Sequence, residues 1–559
     1  MPQRAADPLH PLSILPNEGP SDTLPPLGSN PNVLMVWPRF PPSFWGFEGM
    51  LEMIPQRAVM PPLGLITVAA LCPATWKIRL IDRAFEELRD EDLRWADLVM
   101  VSAMHVQQAD ARVVLGRARS LGRRTFIGGP WASSEPELLL SAADHVLVGE
   151  VEEVFADIAA ALEQGTARRL YRVIDKPDMT RSPVPRFDLL RLDKYGTMPV
   201  QFSRGCPFQC EFCDIITIYG RRPRVKTSAQ LLEELDTLRR LGWRNDVFIV
   251  DDNFIGNHRQ ALALARELAA WQERRGRPFS FYTEASIDLA DRPELLAAMV
   301  EANFMWVFIG IETPSAEGLK EARKYQNLRG DNAHQIRVIQ ESGLWVMGGF
   351  IVGFDSDDER IFERQLEFID RTGIAWAMTG MLQALPTTPL FARLRQEGRL
   401  NEAKPVNLNL TPPNFRTKMP LPTLLRGFHN LLQGLYEPQA FFKRAFRSLQ
   451  VWHPRGTQRP PSLPLSYNLR LLLASMWRQG VRSSYRRAYW RFLVRLAWHW
   501  ARQPAKLWTG FYVLLSAHHF VNFARQVADE LDRECRALAG AGPGSSWECD
   551  APSVELVEV

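Results

Sequence analysis

Arg204-Gly205-Cys206-Pro207-Phe208-Gln209-Cys210-Glu211-Phe212-Cys213-Asp214 directly follows a short apolar run at 200–203. Its cysteines are spaced C-x-x-x-C-x-x-C. Three thiolates on one tight loop can hold three irons of a cubane 4Fe–4S cluster and leave the fourth iron open. A structural zinc instead calls for a fourth ligand and for cysteine pairs on separated loops. The nearest histidine is His258, so the cluster is the favoured reading, with zinc or inert thiols as minor alternatives.

The flanking sequence sets the fold. Downstream, apolar runs of strand length at 200–203, 247–251, 280–284, 306–311, 346–352 and 375–381 alternate with helical patterns at 229–241, 259–274, 293–302 and 360–371. Six such units predict a (βα)6 partial TIM barrel over 199–400, with its chemistry at the strand C-termini. Polar residues stand there: Asp251, Asp252 and Asn253, then Glu284, Glu312 and Asp355. Upstream, runs at 32–37, 78–81, 98–102, 125–127 and 145–148 alternate with helical patterns at 63–71 and 107–121. This predicts an α/β, doubly wound, Rossmann-like domain over 31–164 with ligands at the carboxyl ends of a parallel sheet. Ser102, Gly128-Gly129-Pro130 and Gly149-Glu150 fall at such ends, where glycines let the backbone approach a bound group. Residues 1–30 read as a disordered leader, 165–198 as a proline-bearing linker, 401–528 as a helical basic C-terminal region and 529–559 as a polar tail.

The cysteine motif on the first strand of a six-unit barrel resembles the radical S-adenosylmethionine superfamily, including the aromatic Phe212 before the third cysteine. Val250-Asp251-Asp252-Asn253-Phe254, Phe308-Ile309-Gly310-Ile311-Glu312 and Gly348-Gly349-Phe350-Ile351-Val352-Gly353-Phe354 resemble its second-, fourth- and fifth-strand motifs. The resemblance implies Cys206, Cys210 and Cys213 as cluster ligands. Phe212, Asp251, Asp252, Glu284, Gly310, Glu312 and Gly353 are then the expected S-adenosylmethionine-binding residues. The first domain resembles the cobalamin-binding module of the cobalamin-dependent branch, which implies Asp82, Ser102, Gly128, Gly129, Gly149 and Glu150 around cobalamin. One departure stands out. Histidine-ligated modules carry Asp-x-His-x-x-Gly after the second strand, and here that place reads Asp82-Arg83-Ala84-Phe85-Glu86-Glu87. The favoured expectation is cobalt without a protein histidine, the alternative being a domain that has lost the cofactor. His105 reads as structural before it reads as a ligand.

The phrases Pro61-Pro62-Leu63-Gly64-Leu65, 279–287 (FSFYTEASI) and 348–356 (GGFIVGFDS) resemble the subgroup containing the hopanoid C-2 methylase. That implies a methyltransferase acting on an unactivated carbon through a 5′-deoxyadenosyl radical and methylcobalamin, with a hopanoid-like polycyclic lipid as the suggested substrate. A flavodoxin- or ferredoxin-type donor would supply electrons. The rivals are a non-methylating radical rearrangement or cyclisation, and a non-catalytic cluster or cobalamin sensor. No catalytic side chain can be named.

The chain's 559 residues are 46% hydrophobic and 23% charged, which excludes wholesale disorder. Six cysteines in that length make no disulfide scaffold. Cys72 reads as core, Cys535 and Cys549 as inert tail residues. The proline-rich start lacks the pattern of a secretory signal, no run is long and apolar enough for a spanning helix, and Gly128-Gly129-Pro130 lacks the spacing of a nucleotide-triphosphate loop. The net charge of +4 hides a division: from 438 to 528 there are 15 Lys+Arg and no acid, leaving −11 elsewhere. Tryptophans interleave with arginines at helical spacing, as in helices that lie on an anionic bilayer. Docking on the acidic body is the rival, and nucleic-acid binding is the weakest reading. The expected location is cytoplasmic, peripheral on the inner membrane surface.

Overall fold

The computed structural model describes residues 24–401, 411–456, 458 and 465–540, so most of the expected leader and the end of the expected tail lie outside the described residues. The first domain is one parallel sheet of β1 (Asn32–Trp37), β2 (Lys77–Asp82), β3 (Leu98–Ser102), β4 (Arg124–Gly128), β5 (His145–Val148) and β6 (Leu170–Arg172), in the order β2-β1-β3-β4-β5-β6. Successive residues of β1 feed opposite cores. Leu34 and Val36 join Val99 and Val101 on one face, while Val33 and Met35 join Leu98 and Met100 on the other. Continuous apolar strands are what a sheet covered on both faces requires. From β1 the chain crosses to β2 on one side and then to β3 on the other, so the topological switch point lies between β1 and β3. β6 falls inside the stretch read as a linker. It is a three-residue edge strand beside Arg168 and Arg169, too short to show alternation.

The second domain follows as β7 (Met198–Val200), the small hairpin β8 (Ser203–Arg204) with β9 (Arg224–Val225), then β10 (Val247–Ile249), β11 (Phe281–Ala285), β12 (Phe304–Glu312), β13 (Trp345–Val352) and β14 (Ala377–Met381). Six parallel strands run in the order β14-β13-β12-β11-β10-β7, with β7 and β14 as open edges. The barrel is therefore partial, as expected. Val307, Ile309 and Ile311 of β12 are fully buried in the core shared with the surrounding helices. The alternate residues Phe308 and Gly310, like Tyr282 and Glu284 of β11, are only half-buried and line the concave face.

The C-terminal region is helical: α1 (Leu421–Tyr436), α2 (Pro438–Val451), α3 (Leu465–Ser475), a π-helical stretch Met476–Arg482, α4 (Arg486–Trp500) and α5 (Pro504–Gly540). Aromatic packing and buried hydrogen bonds attach it near the starts of the barrel strands. Trp306 stacks on Tyr512 at 5.2 Å, Trp376 donates to Ser516 Oγ at 2.8 Å, and buried Arg444 donates to the carbonyl of Ile374 at 2.8 Å. α5 continues as one helix through position 529, where the acids resume and the polar tail is expected to begin. A change of charge does not end a helix, and no proline or glycine lies between Gly510 and Gly540.

Candidate functional site

β8 and β9 close the neck of the cysteine loop. Gly205 has φ +94°, and a Cβ there would lie 2.7 Å from the Gly220 carbonyl, so only glycine makes this turn without strain. Cys206 N–H donates to Gly220 O at 3.2 Å and Cys213 N–H to Cys210 O at 3.2 Å. Glu211 pins the far side, its carboxylate taking Arg393 Nε at 2.9 Å and its N–H donating to Ala322 O. The three thiols are free and half-buried. Burial raises all three above the ordinary thiol range, Cys213 most strongly. Metal must therefore displace protons to bind here. Among the described residues no three His, Cys, Asp or Glu side chains form a single-ion site. Three thiols on separate turns of one loop fit a cubane, in which each thiolate holds its own iron.

The expected cofactor-binding residues gather beside this loop, each doing something different. Asp252 accepts from Gly205 N–H at 2.9 Å. Asp251 is fully engaged, accepting from Phe202 N–H at 2.8 Å and from Ser203 N–H and Oγ–H at 2.9 and 2.7 Å. It staples the end of β7. Glu284 makes no hydrogen bond among the described residues. Burial pushes it up to about 8, with repulsion from Asp252 and Asp251 adding and Lys324 opposing. Glu312 has φ +66° at a bulge in the β12–β13 register and pairs with buried Lys324. A Cβ on Gly310 would lie 2.6 Å from Lys324 Nζ, so Gly310 makes room for that ammonium. Gly353 has φ +100° and donates to Asp357 at 2.8 Å. Its neighbour Phe354 lies 6.5 Å from the ring of Phe212. Sequence reasoning misses Lys324: nothing near it links a lysine in an irregular connection to an acid twelve residues away.

In the first domain Ser102, Gly128, Gly129 and Gly149 cluster at the carboxyl edge of the sheet. A Cβ on Gly129 would lie 2.6 Å from Ser102 Oγ, and Gly149 donates to Ser133 Oγ at 3.1 Å. Asp82 is buried, accepting from Tyr195 Oη at 3.0 Å and Ala84 N–H at 2.9 Å. Glu150 does not stay with this group. It turns to the barrel, pairing with Arg204 at 2.9 Å and Arg224 at 2.7 Å, while Glu152 takes Arg204 at 2.6 Å. The residue before the cysteine loop is thus tied to the loop after β5, and the two domains' carboxyl edges face each other. The sheet's switch point keeps one unsatisfied donor or acceptor, Nε2 of buried His105. Small residues at the edge and an orphaned imidazole nitrogen fit a large metal-bearing cofactor.

The chain matches the model of the radical SAM superfamily over residues 200–369, that of the B12 binding domain over 56–159 and that of a domain of unknown function, DUF4070, over 388–533. It is 42% identical over 508 residues to an uncharacterized methyltransferase of Synechocystis sp., covering 90% of this chain and 94% of that one. It is 34% identical over 508 residues to the hopanoid C-2 methylase of Rhodopseudomonas palustris, covering 89% and 94%. Among solved structures, the cobalamin-dependent S-adenosylmethionine radical enzyme OxsB with aqua-cobalamin and S-adenosylmethionine bound superposes with a TM-score of 0.57 at 15% identity, covering 92% of this chain and 82% of that one. That likeness shows a shared fold. A cysteine loop facing a doubly wound domain across an arginine clamp, in a chain that runs nearly the whole length of these relatives, leads to one assignment: the protein belongs to the cobalamin-dependent radical S-adenosylmethionine methyltransferase family, with a 4Fe–4S cluster, S-adenosylmethionine and cobalamin as its cofactors.

Proposed function

We propose that the protein methylates an unactivated carbon of a polycyclic lipid of the hopanoid type. The observation that carries the reading is the two-zone concave face of the barrel. Its rim, beside the cysteines, holds Glu284, Glu312 and Lys324. Its floor is aromatic: Phe248 stacks on Tyr282 at 4.4 Å, Tyr282 meets Trp306 at 5.8 Å, and Trp45 from the first domain meets Phe308 at 4.8 Å. Aromatic, half-buried lining beneath a polar rim suits a large, rigid, apolar molecule, since apolar lining with few polar groups is how ligand sites fix orientation. The resemblance to the hopanoid C-2 methylase over nearly the full chain supports the same class.

When bound, the cluster with S-adenosylmethionine supplies a radical that removes a hydrogen atom, and methylcobalamin supplies the methyl group. The chain's own part is to hold and seal. Cys206, Cys210 and Cys213 would ligate the cluster, and Glu284, once ionised, would accept a hydrogen bond from the amino group of S-adenosylmethionine. Lys324 neutralises Glu312 beside the thiols, and the aromatic floor excludes water from the reacting carbon. Ser102, Gly128, Gly129 and Gly149 would border cobalamin.

A lipid substrate also gives meaning to the C-terminal helices. Leu469, Leu473, Trp477 and Val481 recur at four-residue steps and are 53%, 55%, 58% and 52% exposed. Trp490, Val494 and Trp498 repeat the pattern on α4, with Trp498 85% exposed, and Trp490 donates to Gly480 O at 2.9 Å, so the stripes adjoin. Exposed Arg482, Arg486, Arg487 and Arg491 flank them. Part of the basic region docks on the body, as Arg478 does on Glu52. The outward stripe is the face for an anionic bilayer surface. No described helix is long and apolar enough to cross a membrane.

The test is turnover by anaerobically reconstituted protein with methyl-labelled S-adenosylmethionine and a hopanoid in vesicles. Labelled methyl in the product together with 5′-deoxyadenosine is expected. Turnover that leaves the product unlabelled would reject methyl transfer, and no turnover with any polycyclic lipid would reject the substrate class.

A further inference from the structure

We propose that His105 is the protein ligand to the cobalt of bound cobalamin, through Nε2, with Glu135 holding its ring in the coordinating tautomer. Cobalamin itself comes with the family; the residue and its partner are the new element. The sequence leads to the opposite expectation, because the place after β2 holds no histidine. The structure supplies one after β3 instead.

Ligands of doubly wound sheets bind where the strand order reverses, outside the carboxyl ends. Here that crevice lies between β1 and β3. His105 opens the single turn His105–Gln107 three residues past β3. The turn is strapped over the crevice, since Gln107 donates through Nε2 to the carbonyl of Pro38, just past β1, at 2.6 Å. The His105 side chain is 8% exposed. Its Nδ1 lies 3.3 Å from Glu135 Oε2, and the same oxygen accepts from Trp131 Nε1 at 3.2 Å. Its Nε2 has no partner. A carboxylate 3.3 Å from Nδ1 favours the tautomer with its proton there, which leaves the Nε2 lone pair free, the form in which imidazole binds metals, and such a carboxylate orients the ring and raises its basicity.

Position separates His105 from the other candidates. His145 also has an orphaned Nε2, but it begins β5 and so lies at the opposite end of the sheet. Asp82 is already taken by Tyr195 and Ala84. The same side of the first domain meets the barrel: the short helix Pro130–Ser134, which carries Trp131 beside Glu135, packs against the turn Ile215–Ile218 that follows the cysteine loop. A ligand at this point would approach cobalt from the first domain's side of the cleft.

The experiment uses full-length protein loaded with cobalamin and reduced to the cobalt(II) state. Retention of the cofactor is read from its absorbance, so failure to bind is distinguished from failure to ligate. Electron paramagnetic resonance should show the cobalt lines split by one nitrogen. In protein grown on heavy-nitrogen histidine the splitting should change from three lines to two, and this arm needs no substitution that could disturb folding. His105→Ala should retain cobalamin but lose the histidine splitting. Glu135→Gln should lower the nitrogen-coupled fraction about tenfold or more, the range for an outer carboxylate on a metal-bound histidine. Unsplit lines, or splitting indifferent to histidine labelling, would overturn the proposal. An unchanged fraction in Glu135→Gln would remove Glu135 from it.

Discussion

The ammonium of Lys324 rests on the carboxylate of Glu312 in a pair closed off from solvent beside the cysteine loop. Burial alone would lower that lysine's pKa. Glu312 first, then Cys210, hold it above the ordinary lysine value, so the cation is fixed next to a thiol that must ionise to bind iron. Breaking one side of a buried pair leaves the other charge uncompensated, which costs about 3–5 kcal/mol. Lys324→Met should therefore lose that much stability in urea unfolding of the apoprotein and also take up less iron. The double variant Lys324→Met/Glu312→Gln should regain most of the stability but not the iron uptake. Full stability in the single variant would show that the pair contributes nothing.

The three thiols predict how the cluster assembles. Burial favours their protonated forms, and each must lose a proton to ligate iron. Reconstitution should accelerate as pH rises from neutral toward the thiol range. Cys206→Ala, Cys210→Ala and Cys213→Ala should each abolish the iron–sulfur absorbance, while far-ultraviolet circular dichroism stays native. An intact cluster in any one of them would remove that cysteine from the ligand set.

Glu284 gives a pH signature of the opposite sign to a salt-bridged carboxylate, whose folded-state pKa is depressed. Its pKa in the folded protein, about 8, lies above the 4.5 of a glutamate in water. Between those limits the folded protein holds a proton that the unfolded chain has released. Its contribution is thus fully present below pH 4.5 and is lost as pH rises through about 8. Glu284→Gln should stabilise the apoprotein above pH 8 by up to a few kcal/mol, since each tenfold change in a proton equilibrium is worth about 1.4 kcal/mol. If the ionised carboxylate pairs with the amino group of S-adenosylmethionine, affinity for that cofactor should tighten as pH approaches 8. The variant should bind weakly at every pH. A pH-independent Kd in the parent protein would argue against the pairing.

Much of this arrangement is legible in the sequence because its signals are local. The cysteine spacing, each strand of the doubly wound alternation and each acid at a strand end are read from residues that are neighbours in the sequence. Interactions across the fold are not legible. Glu150 reads as a cofactor residue because it follows a strand end, yet Arg204, fifty-four residues on, turns its carboxylate to the barrel. Asp251 stands beside the loop as its motif implies, but its three donors show it bracing β7. His105 reads as structural because a lone histidine after a strand usually is, and only the fold brings Glu135 to its Nδ1. α5 runs past its expected end because charge is a poor guide to where a helix stops.

Arg204 makes the clamp between domains testable. Its side chain is 12% exposed and meets Glu150 and Glu152, themselves 5% and 3% exposed. Arg204→Met strands two buried carboxylates, and a loss of about 3–5 kcal/mol is expected. Because Glu150 keeps Arg224, the remaining damage should centre on Glu152. Restoring neutrality with Glu152→Gln in the same chain should recover part of it. Protease susceptibility between β6 and β7 should rise in the single variant. Unchanged thermal unfolding and proteolysis would mean that the clamp is not what joins the domains.

The outward stripe on α3 and α4 separates bilayer binding from simple cationic stickiness. Arginines near an anionic surface are each worth about 1 kcal/mol and are screened by salt, whereas inserted tryptophan and leucine respond little to salt. Arg482→Gln/Arg486→Gln should weaken flotation with anionic vesicles by at least about tenfold and flatten its salt dependence. Trp477→Ser/Trp498→Ser should weaken binding at every salt concentration while leaving the salt slope in place. Both residues are more than half exposed, so neither change should disturb the fold. Equal flotation of parent and tryptophan variant on anionic vesicles would mean that the stripe does not enter the bilayer. The basic helices would then be holding the protein to its own acidic body, as Arg478 already does with Glu52.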